Sequence, residues 1–244
     1  IQDYFVPILD GSIECEVIDF EGKSSLINSS TIEAQLGDLQ DDLLTKSSKS
    51  KEELRALCRL YRDMLEGKAH VVNLDLGANL SVNSWDNFSI SDEQKEAIQV
   101  ALDAGNTVEF RVPALIPALL SDKSERKTDK FSVLISREVD FSMAPTFARE
   151  GILIPAAANG TAKVRDLLPL VVIGSGDLAD CLGQAEGPAH ERWSTEEAKF
   201  REKYTKTHGV ELIRFMRESV SKVVRLFQVQ ENEPENSHYS KWFP

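Results

Sequence analysis

Apolar and polar residues along the chain fall into two rhythms, one of period two and one of three to four. Over residues 1–35 the period-two rhythm dominates, with the run Phe5-Val6-Pro7-Ile8-Leu9 followed by Ile13, Cys15 and Val17 alternating with Glu14 and Glu16. Side chains that alternate in this way place one face of a strand in a core and the other in water. The Asp10-Gly11 pair between the two stretches predicts a hairpin turn. A polar stretch over 47–50 leads into residues 51–67, where Leu54, Leu57, Cys58, Tyr61 and Met64 recur at helical spacing and Gly67 is a natural stop.

A short strand is expected over 71–76, followed by a helix that Ser91 and Gln94 can open as a capping box and that ends at Gly105. Further strands are predicted over 107–112, 130–137 and 151–155, with a charged loop over 121–130. The unbroken apolar run 167–173 reads as a central strand covered on both faces. Beyond it the rhythm turns helical, with a second capping box expected over 194–197. A long helix over 210–229 carries Ile213, Met216, Val220, Val223, Val224 and Phe227. The pattern predicts an α+β fold, a mixed sheet packed against helices. Residues 1–113 form an N-terminal strand-helix part, 114–229 hold strands and then C-terminal helices, and 230–244 form a polar tail or linker ending in Trp242-Phe243.

Composition narrows the classes of function. The chain has 244 residues, with 28 Lys+Arg against 40 Asp+Glu, so its formal net charge is −12. A surface of that sign disfavours direct nucleic-acid binding, which draws on a basic face. No apolar stretch reaches the roughly 20 residues of a membrane-spanning helix, so no membrane partner is expected. The cysteines Cys15, Cys58 and Cys181 are widely separated and match neither a disulfide framework nor a C-x-x-C metal clip, which points to a reduced, cytoplasmic setting. Ile1 stands where an initiator Met would be, and the chain is read as a fragment of a longer protein.

Motifs with sharp chemistry are incomplete. Gly22-Lys23-Ser24 ends like a P-loop, but Val17 occupies the place of its first glycine. His190-Glu191 is not followed by the second histidine of a zinc hydrolase, and Gly174-Ser175-Gly176 lacks the spacing of a serine nucleophile elbow. Asp75-Leu76-Gly77 and Asp103-Ala104-Gly105 begin like an adenine-pocket D-x-G-x-G, but Asn79 and Thr107 replace the second glycine. The acidic run over 38–42 reads as a solvated loop. No catalytic or metal-binding set emerges. The local signal left is Gly174-Ser175-Gly176, which follows the central strand and precedes a helix as phosphate-cradling turns do.

Two blocks carry a resemblance. Ser136-Arg137 through Phe147-Ala148-Arg149-Glu150-Gly151-Ile152-Leu153-Ile154-Pro155 is similar to a strand followed by (V/A)-R-E-G-M-x-I. Leu178 through Trp193, with Leu182-Gly183-Gln184-Ala185-Glu186-Gly187-Pro188-Ala189-His190, is similar to L-A-x-L-L-G-D-A-E-N-P-A-H-x-x-W. Both resemble large bacterial proteins that open with a GHKL-type ATPase domain, of the gyrase, histidine-kinase and heat-shock-chaperone kind, some of them associated with anti-phage defence loci. Ile152, Gln184 and Gly187 depart from the pattern.

The resemblance implies a post-ATPase transducer region without turnover of its own. ATP and magnesium belong to an upstream ATPase domain, and other protein domains or subunits are the partners. It also implies one basic side chain directed at the γ-phosphate, for which a guanidinium is suited by its planar, bidentate, permanent charge. Arg149 is the first candidate and Arg137 the second, each with pairing to a surface Glu as the plain alternative. Pro188, His190 and Trp193 are candidates for a partner surface, or for gap-filling and capping. Two other functions remain open: a small-molecule or nucleotide-binding enzyme using the Gly174-Ser175-Gly176 turn, and a non-catalytic interaction scaffold.

Overall fold

The computed structural model describes residues 4–38, 50–75, 82–122 and 126–228. The polar stretch up to Lys49, most of the acidic run over 38–42, the Leu76-Gly77 turn and the tail over 230–244 lie outside them.

In chain order the elements are α1 (Phe5–Leu9), β1 (Cys15–Ile18), β2 (Ser24–Ile27), α2 (Ile32–Asp38), α3 (Lys51–Leu65), β3 (His70–Asn73), α4 (Asp92–Asp103), β4 (Val108–Leu115), β5 (Thr128–Met143), β6 (Thr146–Arg149), β7 (Ile152–Leu153), β8 (Val164–Ile173), α5 (Asp177–Gln184), α6 (Ala198–Lys203) and α7 (Lys206–Phe227). Strands β1 and β2 form a small antiparallel hairpin. The other strands form one sheet in the order β3-β4-β5-β8-β6-β7. It is mixed, because β3–β4 and β6–β8 are parallel while β4–β5, β5–β8 and β6–β7 are antiparallel. The fold is α+β, as the hydrophobic pattern predicts.

Both faces of this sheet are covered. Leu134, Leu168, Leu170, Val172 and Ala148 point to α1, α2 and α3, where Phe5, Ile8, Leu54 and Leu57 are buried. Their neighbours Val133, Ile135, Val171, Ile173 and Phe147 point the other way, to α4, α5, α6 and α7. Double coverage explains why 167–173 is apolar at every position: with both sides of the pleat in a core, alternation has no purpose. The division at 113/114 falls inside β4, whose pairing with β5 runs on to Leu115, so the two parts share one sheet.

Several elements differ from their sequence expectation. Phe5–Leu9 is a helix, every residue of it buried, and Gly11 with φ of 80° follows its C-terminus instead of turning a hairpin. An apolar run of five carries no periodicity, so it cannot be told from a buried strand. The hairpin turn lies later, where the Asp19 carboxylate accepts from the backbone of Glu21 and Lys23. Ser91 and Gln94 do form the expected capping box. Ser194 instead accepts from the backbone of Glu196, and α6 starts at Ala198 with no side-chain cap, so the second box is absent. Strand β5 is longer than expected, absorbing Thr128 and Asp129 from the charged loop and running past a bulge between Arg137 and Ser142.

Candidate functional site

The two blocks that carry the resemblance meet at one buried carboxylate. Arg149 ends β6, and the tight β6–β7 turn follows it, with Glu150 at φ 46° and Gly151 at φ 83°. A side chain at Gly151 would also press on the Pro7 ring, its Cβ only 3.1 Å from Cδ, so glycine is required there twice over. Helix α5 crosses above, and Gly183 leaves room for the guanidinium, which lies 3.4 Å from where a Cβ would be. The chain then leaves α5 through Glu186, loops through Pro188 and His190, and returns at Trp193, which forms a β-bridge with Glu186.

Glu186 accepts four hydrogen bonds. Arg149 donates in bidentate fashion, Nε to Oε1 at 2.6 Å and Nη2 to Oε2 at 2.9 Å. Trp193 Nε1 donates to Oε1 at 3.0 Å, and His190 Nδ1 lies 2.8 Å from Oε2. The remaining Arg149 edge, Nη1, donates to Glu150. Arg149 is 7% exposed and Glu186 5%, while the side chains of Glu150 and His190 reach solvent. Burial pushes the Glu186 carboxyl up, but the hydrogen bonds from Arg149, His190 and Trp193 and the arginine charge outweigh it and hold it below the usual carboxylate range. The Arg149 guanidinium is raised above its ordinary value, first by its hydrogen bond to Glu186. With one member lowered and the other raised, neither exchanges a proton near neutrality. The Arg149–Glu186 pair is a charge-compensated joint that ties the 186–193 loop to the sheet.

Arg149 therefore pairs chiefly with a buried Glu and by its remaining edge with the half-exposed Glu150. Arg137 is elsewhere. It pairs with Asp103 at 3.1 Å and donates to Gln99 at 3.3 Å. Opposite β8, Arg137 registers with Leu167 and Arg149 with Ile173, six positions along the strand. At about 3.3 Å per residue that separates the two levels by roughly 20 Å, so the two arginines cannot serve one phosphate.

The Gly174-Ser175-Gly176 turn is exposed and precedes α5 as expected. Its anion position is taken: the Asp129 carboxylate accepts from the Leu178 backbone N–H at 3.0 Å. A Cβ on Gly176 would lie 2.6 Å from that same oxygen. The helix N-terminus that could attract a phosphate thus attracts a carboxylate of this chain.

Of the partner-surface candidates, Pro188 and His190 are exposed, whereas Trp193 is buried with its ring edge-on to Phe147 at 5.6 Å. Glu186 lies in the second resembling block, but the sequence reading gives it no role of its own. The signal that could find it is an acid followed at four and seven positions by His190 and Trp193, two donors able to face it after a helix end. Among the described residues no group of three His, Cys, Asp or Glu side chains could hold a metal ion, and no helix is long and apolar enough to cross a membrane. In comparisons with models of protein families, with curated proteins and with solved structures, nothing matches the chain.

Proposed function

We propose that this chain is a transducer-type relay of a cytoplasmic GHKL-type ATPase, of the kind associated with anti-phage defence, carrying nucleotide state from an upstream ATPase domain to partner domains or subunits. The observation that carries this reading is the convergence of both resembling blocks on the Arg149–Glu186 joint. Glu186 holds one edge of the guanidinium inside the fold, and the Nη1 edge is held by the half-exposed Glu150. An incoming phosphate that displaces Glu150 would gain a preorganised, bidentate-capable cation already aligned by Glu186. Exchange of one anion for another at Nη1 gives the joint two charge-balanced states, which is what a relay needs.

The enzyme reading built on Gly174-Ser175-Gly176 is less favoured, since Asp129 already fills that turn. The scaffold reading draws support from the β1–β2 hairpin, which exposes Val17, Ile18 and a fully exposed Phe20.

ATP turnover tests the proposal, measured on this chain alone and on the protein that includes the segment encoded ahead of it. The chain alone is expected to show none. In the longer protein R149K is expected to lower turnover about tenfold, the scale of one charge-assisted hydrogen bond, and E150Q to change it severalfold with the fold intact. Turnover by the chain alone, or wild-type turnover in both folded variants, would overturn the reading.

A further inference from the structure

A second site lies behind Trp193. The loop 159–162, the segment 193–195 and one stripe of α7 enclose an open cavity of about 670 Å³, within the range of small-molecule sites. Helix α7 sends Arg214 and Arg217 to it from successive turns, with Glu218 beside them.

What sets this pair apart is a buried donor of Arg217, since Arg55, Arg192, Arg201 and Arg225 also lack a carboxylate partner among the described residues. Arg59, Arg62, Arg111, Arg126, Arg137 and Arg149 each pair with a carboxylate, as an excess of 40 acids over 28 bases would lead one to expect. Among the described residues, Arg214 and Arg217 pair with none, not even the adjacent Glu218. The Nε of Arg217 is buried and has no acceptor. A covered guanidinium N–H without an acceptor is costly, so this one is placed for something other than the protein.

The hydroxyls around the cavity divide into two sets. Thr161 and Ser221 give their protons to the backbone carbonyls of Ala158 and Glu218. Ser194 receives a bond from the Glu196 backbone and keeps its own proton for another acceptor, and Thr195 stands beside it. Two guanidinium groups with free hydroxyl donors suit an anion rich in acceptors, whose several oxygens can take bonds from different directions. A planar carboxylate offers only two oxygens. The cavity is too large for a bare ion, and Trp193, Val210 and Ile213 supply an apolar wall for an organic moiety.

We propose that this cavity binds a small phosphate monoester, with Arg214 and Arg217 on the phosphate and Ser194 and Thr195 as hydroxyl donors. Glu218 also lines the cavity, and its negative charge opposes an anion there. Trp193 belongs to both the cavity wall and the Glu186 cluster, so occupancy bears on the loop that the joint holds. The site stands independently of the relay reading, because it needs no upstream domain.

Isothermal titration of the chain with AMP and with glycerol 3-phosphate at constant ionic strength is the test, with citrate as a carboxylate control. At least one ester is expected to bind saturably and to be displaced by inorganic phosphate. R214Q, on the exposed side of α7, should weaken it about tenfold with circular dichroism unchanged. R214Q/R217Q should abolish it, and E218Q should tighten it. No saturable heat with either ester, an unchanged dissociation constant in R214Q, or citrate binding as tightly as the esters would overturn the assignment.

Discussion

Four donors converge on the two oxygens of Glu186, and the strength of that arrangement depends on every partner staying in place. A carboxylate has about four lone-pair positions, and Arg149, Trp193 and His190 use them all. Removing the cation leaves a buried charge without compensation, which typically costs about 3–5 kcal/mol. That is a large part of the roughly 5–15 kcal/mol that holds a domain together. R149M is accordingly expected to lower the unfolding free energy measured in urea at neutral pH by about 3–5 kcal/mol.

The pH dependence separates this joint from a surface pair. In the native protein the folded Glu186 value lies below the unfolded one, so its contribution is present above the ordinary carboxylate range, near 4.3, and fades as pH falls through the lowered value. In R149M the arginine's hydrogen bonds and charge are lost while burial remains, so the folded value is expected to rise and the variant's deficit to shrink on acidification from neutral pH. Parallel urea curves at pH 7 and pH 5 would show it; a deficit independent of pH would contradict the assignment.

At the scale of elements, α7 shows how a local preference yields to packing. Gly209 sits inside the helix, where replacement by Ala ordinarily adds up to about 1 kcal/mol. Here a Cβ would stand 2.4 Å from Phe200 Cζ and 2.9 Å from Thr195 Cγ2. A buried aromatic ring cannot yield that distance cheaply, and overpacking costs about 1–3 kcal/mol. G209A is therefore expected to destabilise despite the better helix former, and thermal unfolding checks the sign.

Elements with a rhythm are legible, and those without one are not. The stripe Leu54, Leu57, Cys58, Tyr61 marks α3, and Ser91 with Gln94 marks the start of α4. Phe5–Leu9 is apolar at all five positions, so nothing local distinguishes helix from strand; packing against α3 decides it. Ser194 has the residue pattern of a capping box, but its hydroxyl serves a turn because the chain there is committed to the Trp193 bridge.

The whole molecule sets the reactivity of its thiols. Cys58 lies in the core between α3 and the sheet, Cys181 in the core on the opposite face, and burial pushes both thiols up to about 12. The thiolate is the nucleophile, so both should be inert, while the partly covered Cys15 is open to reagent. Native labelling with a maleimide at pH 7 should modify one thiol, and labelling in denaturant all three. Modification of Cys58 or Cys181 in the native state would mean that a core face opens.

Length, charge and hydrophobic rhythm alone determined the α+β class and the doubly covered central strand, because burial on two faces writes itself into every residue of 167–173. The resemblance of two sequence blocks, and not rhythm or charge, marked Arg149 and the segment ending at Trp193 as worth attention. Only the tertiary structure decided what those residues face. Asp129 reaches the α5 N-terminus across 49 positions of chain, Arg149 reaches Glu186 across 37, and Arg137 is carried to the far end of the sheet. Periodicity records which side of an element is buried. Which charges meet depends on strand order and register, and those are set by the packing of the entire sheet between its two helical layers.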